Sequence, residues 1–140
     1  MHLMLKTACA CAKLRRSARI VSAIYDEALA PIGFSVAQYS LLRMLERTGP
    51  SKLSDFAAAT GHDRTTLNRT LRPLEEAGLV ASGAGKDARS RVMSVTKAGH
   101  EVIARGQAHW EEAQARIAQK LGGSQDALFA MLDRLEELRA

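Results

Sequence analysis

The stretch from Gly61 to Arg91 reads GHDRTTLNRTLRPLEEAGLVASGAGKDARSR and decides the fold that we expect. Gly61 supplies a tight turn, and the carboxylate of Asp63 can cap the N-terminus of a helix. At about 100° per residue, leucines fall on one side of this helix and polar side chains fall within an opposite arc. The leucines are Leu67, Leu71 and Leu74, and the polar residues are Arg64, Thr65, Asn68, Arg69 and Arg72.

The polar arc carries side-chain types that read DNA bases. Arginine pairs with guanine, and asparagine with adenine, through paired hydrogen bonds in the major groove. The first acidic residue of the helix is Glu75, so the arc from Arg64 to Arg72 contains no acid. The plainer interpretation is a solvated charged face. The preceding turn and the following hairpin favour a DNA-reading helix instead.

A short β-wing is expected after the helix, which should end at Gly78. Residues 79–82 and 91–95 are β-prone runs, and the glycine-rich segment 83–90 between them carries basic residues near its tip. The sequence therefore predicts a two-stranded hairpin directly behind the helix.

Pro73 lies inside the predicted helix. A proline there removes the hydrogen bond to the carbonyl of Arg69 and disfavours helical geometry at Arg72. We expect a kink at this point, because Leu74 continues the apolar face.

Three motifs resemble the MarR family of winged helix-turn-helix repressors. They are LEEAGLV at 74–80, DARS at 87–90 and VTKAG at 95–99, in that family's order and spacing. The resemblance covers the chain from about Ala18 to its C-terminus. It implies a homodimeric transcriptional regulator, a repressor, on a pseudo-palindromic operator. It also implies release by a small molecule, often an aromatic acid or phenol, in a cleft between the dimer helices and the DNA-binding lobe.

Within this scheme, each predicted contact with double-stranded DNA has a place. The helix 64–72 would enter the major groove, and Arg89 would enter the flanking minor groove while Asp87 holds its guanidinium. Phosphate contacts would come from the start of the third helix and from the wing. The predicted DNA-binding residues are Ser51, Lys52, Arg64, Thr65, Asn68, Arg69, Arg72, Lys86, Asp87, Arg89 and Arg91.

Capping and breaking signals place the other helices. Helices are predicted at 13–30, at 36–47 behind a Ser35–Gln38 capping box, at 52–60 behind a Ser51 cap, at 97–121 behind a Thr96 cap, and after a Ser124 cap. The expected fold is mainly α with a small β-hairpin, a winged helix-turn-helix with N- and C-terminal dimerisation helices. Residues 35–96 would form the DNA-binding lobe, and 1–34 with 97–140 the helical dimerisation region.

The terminal helices carry apolar stripes that suggest a second copy of the chain. Leu128, Met131, Leu135 and Leu138 follow a three-four-three spacing, which typically seeks a partner helix. Ordinary packing within one chain is the alternative. We favour a homodimer because the first helix carries a stripe of its own.

Composition limits the class of protein. Hydrophobic residues make up 46% of the 140 residues and aromatic residues only 4%, which suits a helical core. No apolar run approaches the ~18 residues of a membrane span, and no secretory signal is evident, so a cytoplasmic protein without membrane contact is expected. The net charge of +5 equals the charge of Lys6, Lys13, Arg15, Arg16 and Arg19 alone. The overall charge is therefore no evidence for the DNA-binding face.

No catalytic motif, metal-site spacing or cofactor motif is recognised, so an enzyme is not expected. Cys9 and Cys11 stand beside Lys6, Lys13 and Arg15, and positive charge favours thiolates. A thiol-based redox-sensing regulator is therefore one alternative, although the pair also suits two small apolar residues at a frayed helix start. A winged-helix module that binds protein rather than DNA is another.

Overall fold

The computed structural model describes residues 4–83 and 91–139 and contains six α-helices and a small sheet. The helices are α1 (Ala10–Leu29), α2 (Val36–Thr48), α3 (Leu53–Thr60), α4 (Arg64–Glu76), α5 (Lys97–Leu121) and α6 (Gln125–Glu136). The strands are β1 (Ser51–Lys52), β2 (Val80–Gly83) and β3 (Val92–Val95), and 3₁₀ turns lie at Ala30–Ile32 and Glu137–Arg139. The predicted fold class is confirmed.

Local capping signals set several helix starts. At α2 the capping box is complete: the Gln38 amide N–H donates to Ser35 Oγ at 3.2 Å, and the Ser35 amide N–H donates to Gln38 Oε1 at 2.9 Å. At α5 the Gly99 amide N–H donates to Thr96 Oγ1 at 3.1 Å. Both caps were predicted from the sequence, because a capping bond joins residues only three positions apart.

The predicted cap at Ser51 is wrong. Lys52 occupies the N-cap position of α3 and makes no side-chain capping bond. Ser51 belongs instead to β1, which pairs with β3 in an antiparallel register of Ser51 with Met93 and Lys52 with Val92. The sheet therefore has three strands in the order β1-β3-β2, one more than the predicted hairpin.

Two other helix starts differ from the sequence prediction. The first helix begins at Ala10 rather than Lys13, because Cys9 caps it: the Ala12 amide N–H donates to Cys9 Sγ at 3.5 Å. Ser124 precedes α6 as predicted but makes no side-chain capping bond. Its ψ of 7° is not the extended geometry that a capping side chain needs.

The helix α4 continues through Pro73 to Glu76, and Leu74 beyond the proline is fully buried. The apolar face therefore continues as expected. The kink itself stays a prediction.

The core joins α2 to the elements on both sides of it. Leu41, Leu42 and Leu45 are buried in the same cluster as the leucines of α4. On its other side α2 meets α5, where the Tyr39 hydroxyl donates to the Ile103 carbonyl at 2.7 Å and the Tyr39 ring fills the space beside Gly106. The helix α2 therefore lies between the predicted DNA-reading helix and the long helix α5.

Candidate nucleic-acid interface

The N-terminus of α4 is set by Gly61 and Asp63. Gly61 ends α3 with a φ of 76°, a left-handed conformation that glycine adopts without strain. Asp63 then caps α4, with its Oδ1 accepting the Thr66 amide N–H at 2.7 Å. The bonds from the Thr66 backbone and side chain hold the pKa of Asp63 below its ordinary value, and the charges of Arg69 and His62 act in the same direction. The start of α4 is thus fixed by a carboxylate that is hydrogen-bonded to the first turn of the helix.

The two faces of α4 separate as the sequence predicts. Leu67, Leu71 and Leu74 are 0–1% exposed in the core. The predicted DNA contacts on this helix are all exposed: Arg64, Thr65, Asn68, Arg69 and Arg72. Burial of the leucines therefore fixes which way the polar side chains point, away from the protein and towards solvent.

A shallow groove runs along the exposed face of α4. Its lining includes four of the predicted contacts: Thr65, Asn68, Arg69 and Arg72. Pro73 and Glu76 complete the lining. Sequence reasoning missed Glu76, although it follows Arg72 by four positions and so falls on the same helical face. A carboxylate at this place repels the phosphates of DNA, and it can accept a hydrogen bond from the amino group of cytosine.

The predicted phosphate contacts Ser51 and Lys52 differ in how far their side chains are engaged within the chain. The Ser51 hydroxyl donates to the Gly49 carbonyl at 2.8 Å and lies 3.2 Å from the Thr48 hydroxyl, so it is engaged in the preceding turn. The Lys52 side chain is exposed at the start of α3. Since Lys52 pairs with Val92, its backbone also belongs to the base of the wing.

Arg91, a predicted phosphate contact, has partners within the chain. Its Nη2 lies 3.2 Å from both carboxylate oxygens of Glu75 and 2.6 Å from Ser82 Oγ. The guanidinium is therefore engaged between the end of α4 and the wing. The other predicted wing contacts, Lys86, Asp87 and Arg89, lie outside the described residues.

Cys9 and Cys11 are free and exposed at the start of α1, and neither lines the groove on α4. Within residues 4–83 and 91–139, no group of three or more His, Cys, Asp or Glu side chains could hold a metal ion.

Over the same ranges no single helix has the length and hydropathy of a membrane span. Ala10–Ile32 and Val36–Thr48, bent by 77° at their junction, meet that test only when taken together, by length and composition.

Comparisons with known sequences point to one family. The MarR family model matches residues 32–90. The HTH-type transcriptional repressor Rv2887 of Mycobacterium tuberculosis is 31% identical over 110 residues, which are 77% of this chain and 79% of that protein. The uncharacterized HTH-type transcriptional regulator YwoH of Bacillus subtilis is 31% identical over 85 residues, 61% of this chain and 62% of that protein.

Solved structures agree with the sequence comparison. The M. tuberculosis transcriptional regulator MosR in complex with DNA has a TM-score of 0.80 at 32% identity, covering 94% of this chain and 99% of that one. The structure of Rv2887 in complex with salicylic acid has a TM-score of 0.65 at 28% identity, with the same coverage. With its helix-turn-helix, its wing and an exposed basic helix face, this chain belongs to the MarR family of transcriptional regulators.

Proposed function

We propose that the protein is a homodimeric repressor that binds a pseudo-palindromic operator through two copies of α4. The observation that carries this proposal is the exposed face of α4, where five side chains suited to DNA contact lie over a buried leucine face. Each α4 would enter a major groove, with half-sites about one helical turn, roughly 10 bp, apart. The relatives support the proposal, because MosR was solved with DNA and Rv2887 is a repressor.

The wing and the start of α3 would hold the protein in register on the duplex. Lys52 is exposed at the base of the wing, where a lysine can contact phosphate. Arg89, oriented by Asp87, would enter the flanking minor groove, and Lys86 would contact the backbone beside it. These three assignments rest on the sequence and on the resemblance to the family.

The proposal is tested by comparing a specific with a random duplex. An operator is first selected from genomic fragments by the unmodified protein. Asn68→Ala and Arg69→Ala should each weaken binding to the selected duplex by about 1–3 kcal/mol, with a smaller loss on random DNA. Arg116→Ala, which removes an exposed arginine from the second half of α5, serves as the control and should weaken neither. Equal losses on both duplexes would show that Asn68 and Arg69 do not read bases.

The homodimer would form through the terminal helices. An apolar groove of about 450 Å³ lies between α1, α5 and α6, with Leu14, Val21, Ile117, Leu128 and Phe129 among its lining residues. Burial raises the pKa of the Tyr25 phenol in this groove above its ordinary value. A second copy would cover this groove, and the domain division at 1–34 and 97–140 follows from that arrangement. A monomer at micromolar concentration in sedimentation would exclude it.

A small aromatic acid is the proposed effector, as the salicylic acid bound to Rv2887 suggests. Where α2 meets α5, the Arg43 guanidinium lies 4.2 Å from the centroid of the Trp110 ring and donates to Gln107. A half-buried cation on an aromatic surface suits a carboxylate attached to a ring. We therefore place the effector near Arg43, between the DNA-binding lobe and α5.

Salicylate is the probe for this site. Calorimetry should detect its binding, and salicylate should release a labelled operator in anisotropy measurements. Arg43→Gln should weaken both effects, whereas Arg105→Gln, an exposed arginine on α5, should change neither. If Arg43→Gln binds salicylate as the unmodified protein does, the effector site lies elsewhere.

We also propose that the protein acts in the cytoplasm and catalyses no reaction. A protein-binding winged helix is the competing function, and a salt-dependent shift on random duplex DNA separates the two.

A further inference from the structure

One arginine joins the end of α4 to both strands of the wing. Arg91 directly precedes β3, Glu75 lies in the last turn of α4, and Ser82 lies on β2. The Arg91 Nη2 reaches both Glu75 oxygens at 3.2 Å and Ser82 Oγ at 2.6 Å. The side chains of Arg91 and Glu75 are 39% and 32% exposed, so the pair is open to solvent and to competing anions.

Arg91, which the sequence predicts to contact phosphate, is thus bonded to other side chains of the protein. Phosphate contacts add affinity on every sequence, whereas base contacts discriminate between sequences. The Arg91 Nη2 hydrogens face Glu75 and Ser82, so a phosphate that uses them must displace these partners. Glu75 therefore competes with the DNA backbone for Arg91.

We propose that Glu75 is a positioning residue for DNA recognition. Its carboxylate keeps Arg91 off the phosphate backbone and holds the base of the wing against α4. The result is weaker sequence-independent binding to every duplex, so that base contacts supply a larger share of the affinity for a specific site. The inference rests on the proposed DNA-binding function and adds a residue that limits nonspecific affinity.

The experiment measures salt slopes for a double-mutant cycle. Binding to the selected and to a random duplex is followed from low to high salt for the unmodified protein, Glu75→Gln, Arg91→Gln and the double variant. Glu75→Gln should steepen the slope by about 0.9 for each phosphate contact that Arg91 gains. It should also raise the affinity for the selected and the random duplex alike, by about two- to fivefold, the range of an exposed ion pair.

The decisive comparison is the effect of Arg91→Gln in the two backgrounds. In the unmodified protein this change should leave the slope as it was, because Arg91 is held by Glu75. In the Glu75→Gln background the same change should return the steepened slope to its original value. A slope that falls with Arg91→Gln alone would show that Arg91 already contacts phosphate and would overturn the proposal.

Glu76→Gln provides the matched control. It removes the same charge one position along α4, and Glu76 makes no bond to Arg91 among the described residues. Its effect on the slope should not depend on Arg91. If Glu75→Gln and Glu76→Gln respond alike to Arg91→Gln, only net charge matters and Glu75 has no positioning role.

Two measurements separate misfolding and failure of the proposed function from failure of this inference. An exposed pair contributes little to stability, so all variants should melt close to the unmodified protein. Thermal unfolding of the four proteins without DNA should show that the stability changes of Glu75→Gln and Arg91→Gln are not additive, by a small amount. Additive stability changes would count against the ion pair. If the unmodified protein shows no salt-dependent DNA binding, the proposed function fails, which is a different result from an altered response to Arg91→Gln.

Discussion

The helices α4 and α6 carry similar leucine stripes but bury them differently. In α4 the three leucines are 0–1% exposed, whereas no residue of α6 is buried. Met131 and Leu135 of α6 are 56% and 44% exposed, and Leu138 beyond it is 82% exposed. Helical spacing shows which residues share a face. It does not show whether the partner of that face lies in the same chain.

The largest expected effect tests the buried side of this comparison. Leu67→Ala should lower the free energy of unfolding by about 2–5 kcal/mol, because it leaves a cavity under α4. Leu135→Ala should cost far less in urea denaturation at protein concentrations too low for association. Equal losses at every concentration would mean that α6 packs within the chain as α4 does.

The next prediction asks whether a second copy covers α6. Leu135→Asp should weaken the homodimer by about 1–2 kcal/mol per protomer, since the leucine would lose its burial and a charge would enter the interface. Sedimentation velocity over a concentration series measures the shift. An unchanged dissociation constant would place the interface elsewhere.

A smaller effect is expected from charges near the same surface. The start of α1 is basic, and α6 with the turn after it carries Asp133, Glu136 and Glu137. Changing Arg15 and Arg16 together to Glu should loosen the dimer, with each exposed pair worth ~0–1 kcal/mol. The salt slope of DNA binding at saturating protein should hardly change. A clear fall in that slope would assign these arginines to phosphate.

The cap of α4 should respond to acid. Because the pKa of Asp63 is lowered in the folded chain, its stabilising contribution is present above the ordinary value of 3.8. That contribution is lost as the pH falls through the lower folded value. The Thr66 amide signal in NMR spectra should follow this loss. The Asp63→Asn variant keeps a capping oxygen that does not titrate, so it should remove the dependence; if the dependence stays, another group causes it.

The smallest effect concerns the thiols on α1, far in sequence from α4. Peroxide would oxidise a Cys9 thiolate to the sulfenic acid, and the Cys11 thiol would then displace water to form a disulfide. This bridge would remove the cap at Ala12. If the protein is a redox-sensing regulator, DNA affinity falls after treatment and recovers with a reductant. Cys9→Ser keeps a capping oxygen and should be insensitive to peroxide. Equal affinity of reduced and treated protein would exclude redox sensing.

Sequence reasoning succeeded at most places where the cause was local, although the Ser124 cap is absent and the Cys9 cap was missed. The caps at Ser35, Asp63 and Thr96 each depend on a partner three residues away, and the two faces of α4 follow from helical periodicity. It failed at Ser51, because a two-residue strand has no periodicity and forms only through pairing with β3, about 40 residues later.

At the candidate site, the partners of Arg91 within the chain could not be predicted either, and its phosphate contact stays a prediction. Its partner Glu75 is 16 residues away, on a different element, and the contact exists only once the sheet has placed the wing beside α4. Residue type alone therefore indicated a phosphate contact. The place of Glu76 in the groove was predictable, since it lies one helical turn after Arg72 on the same face of α4.

The contact between Tyr39 and Gly106 has a mechanical consequence. The ring fills the space that a side chain would take at position 106, so α2 rests directly on the backbone of α5. Close-packed interiors transmit displacement because they have little free volume to absorb it. A shift of α5 at this point must therefore move α2 as well. The distance between the two helices is set here by direct contact of the Tyr39 ring with the Gly106 backbone, and neither group can change its shape to absorb a displacement.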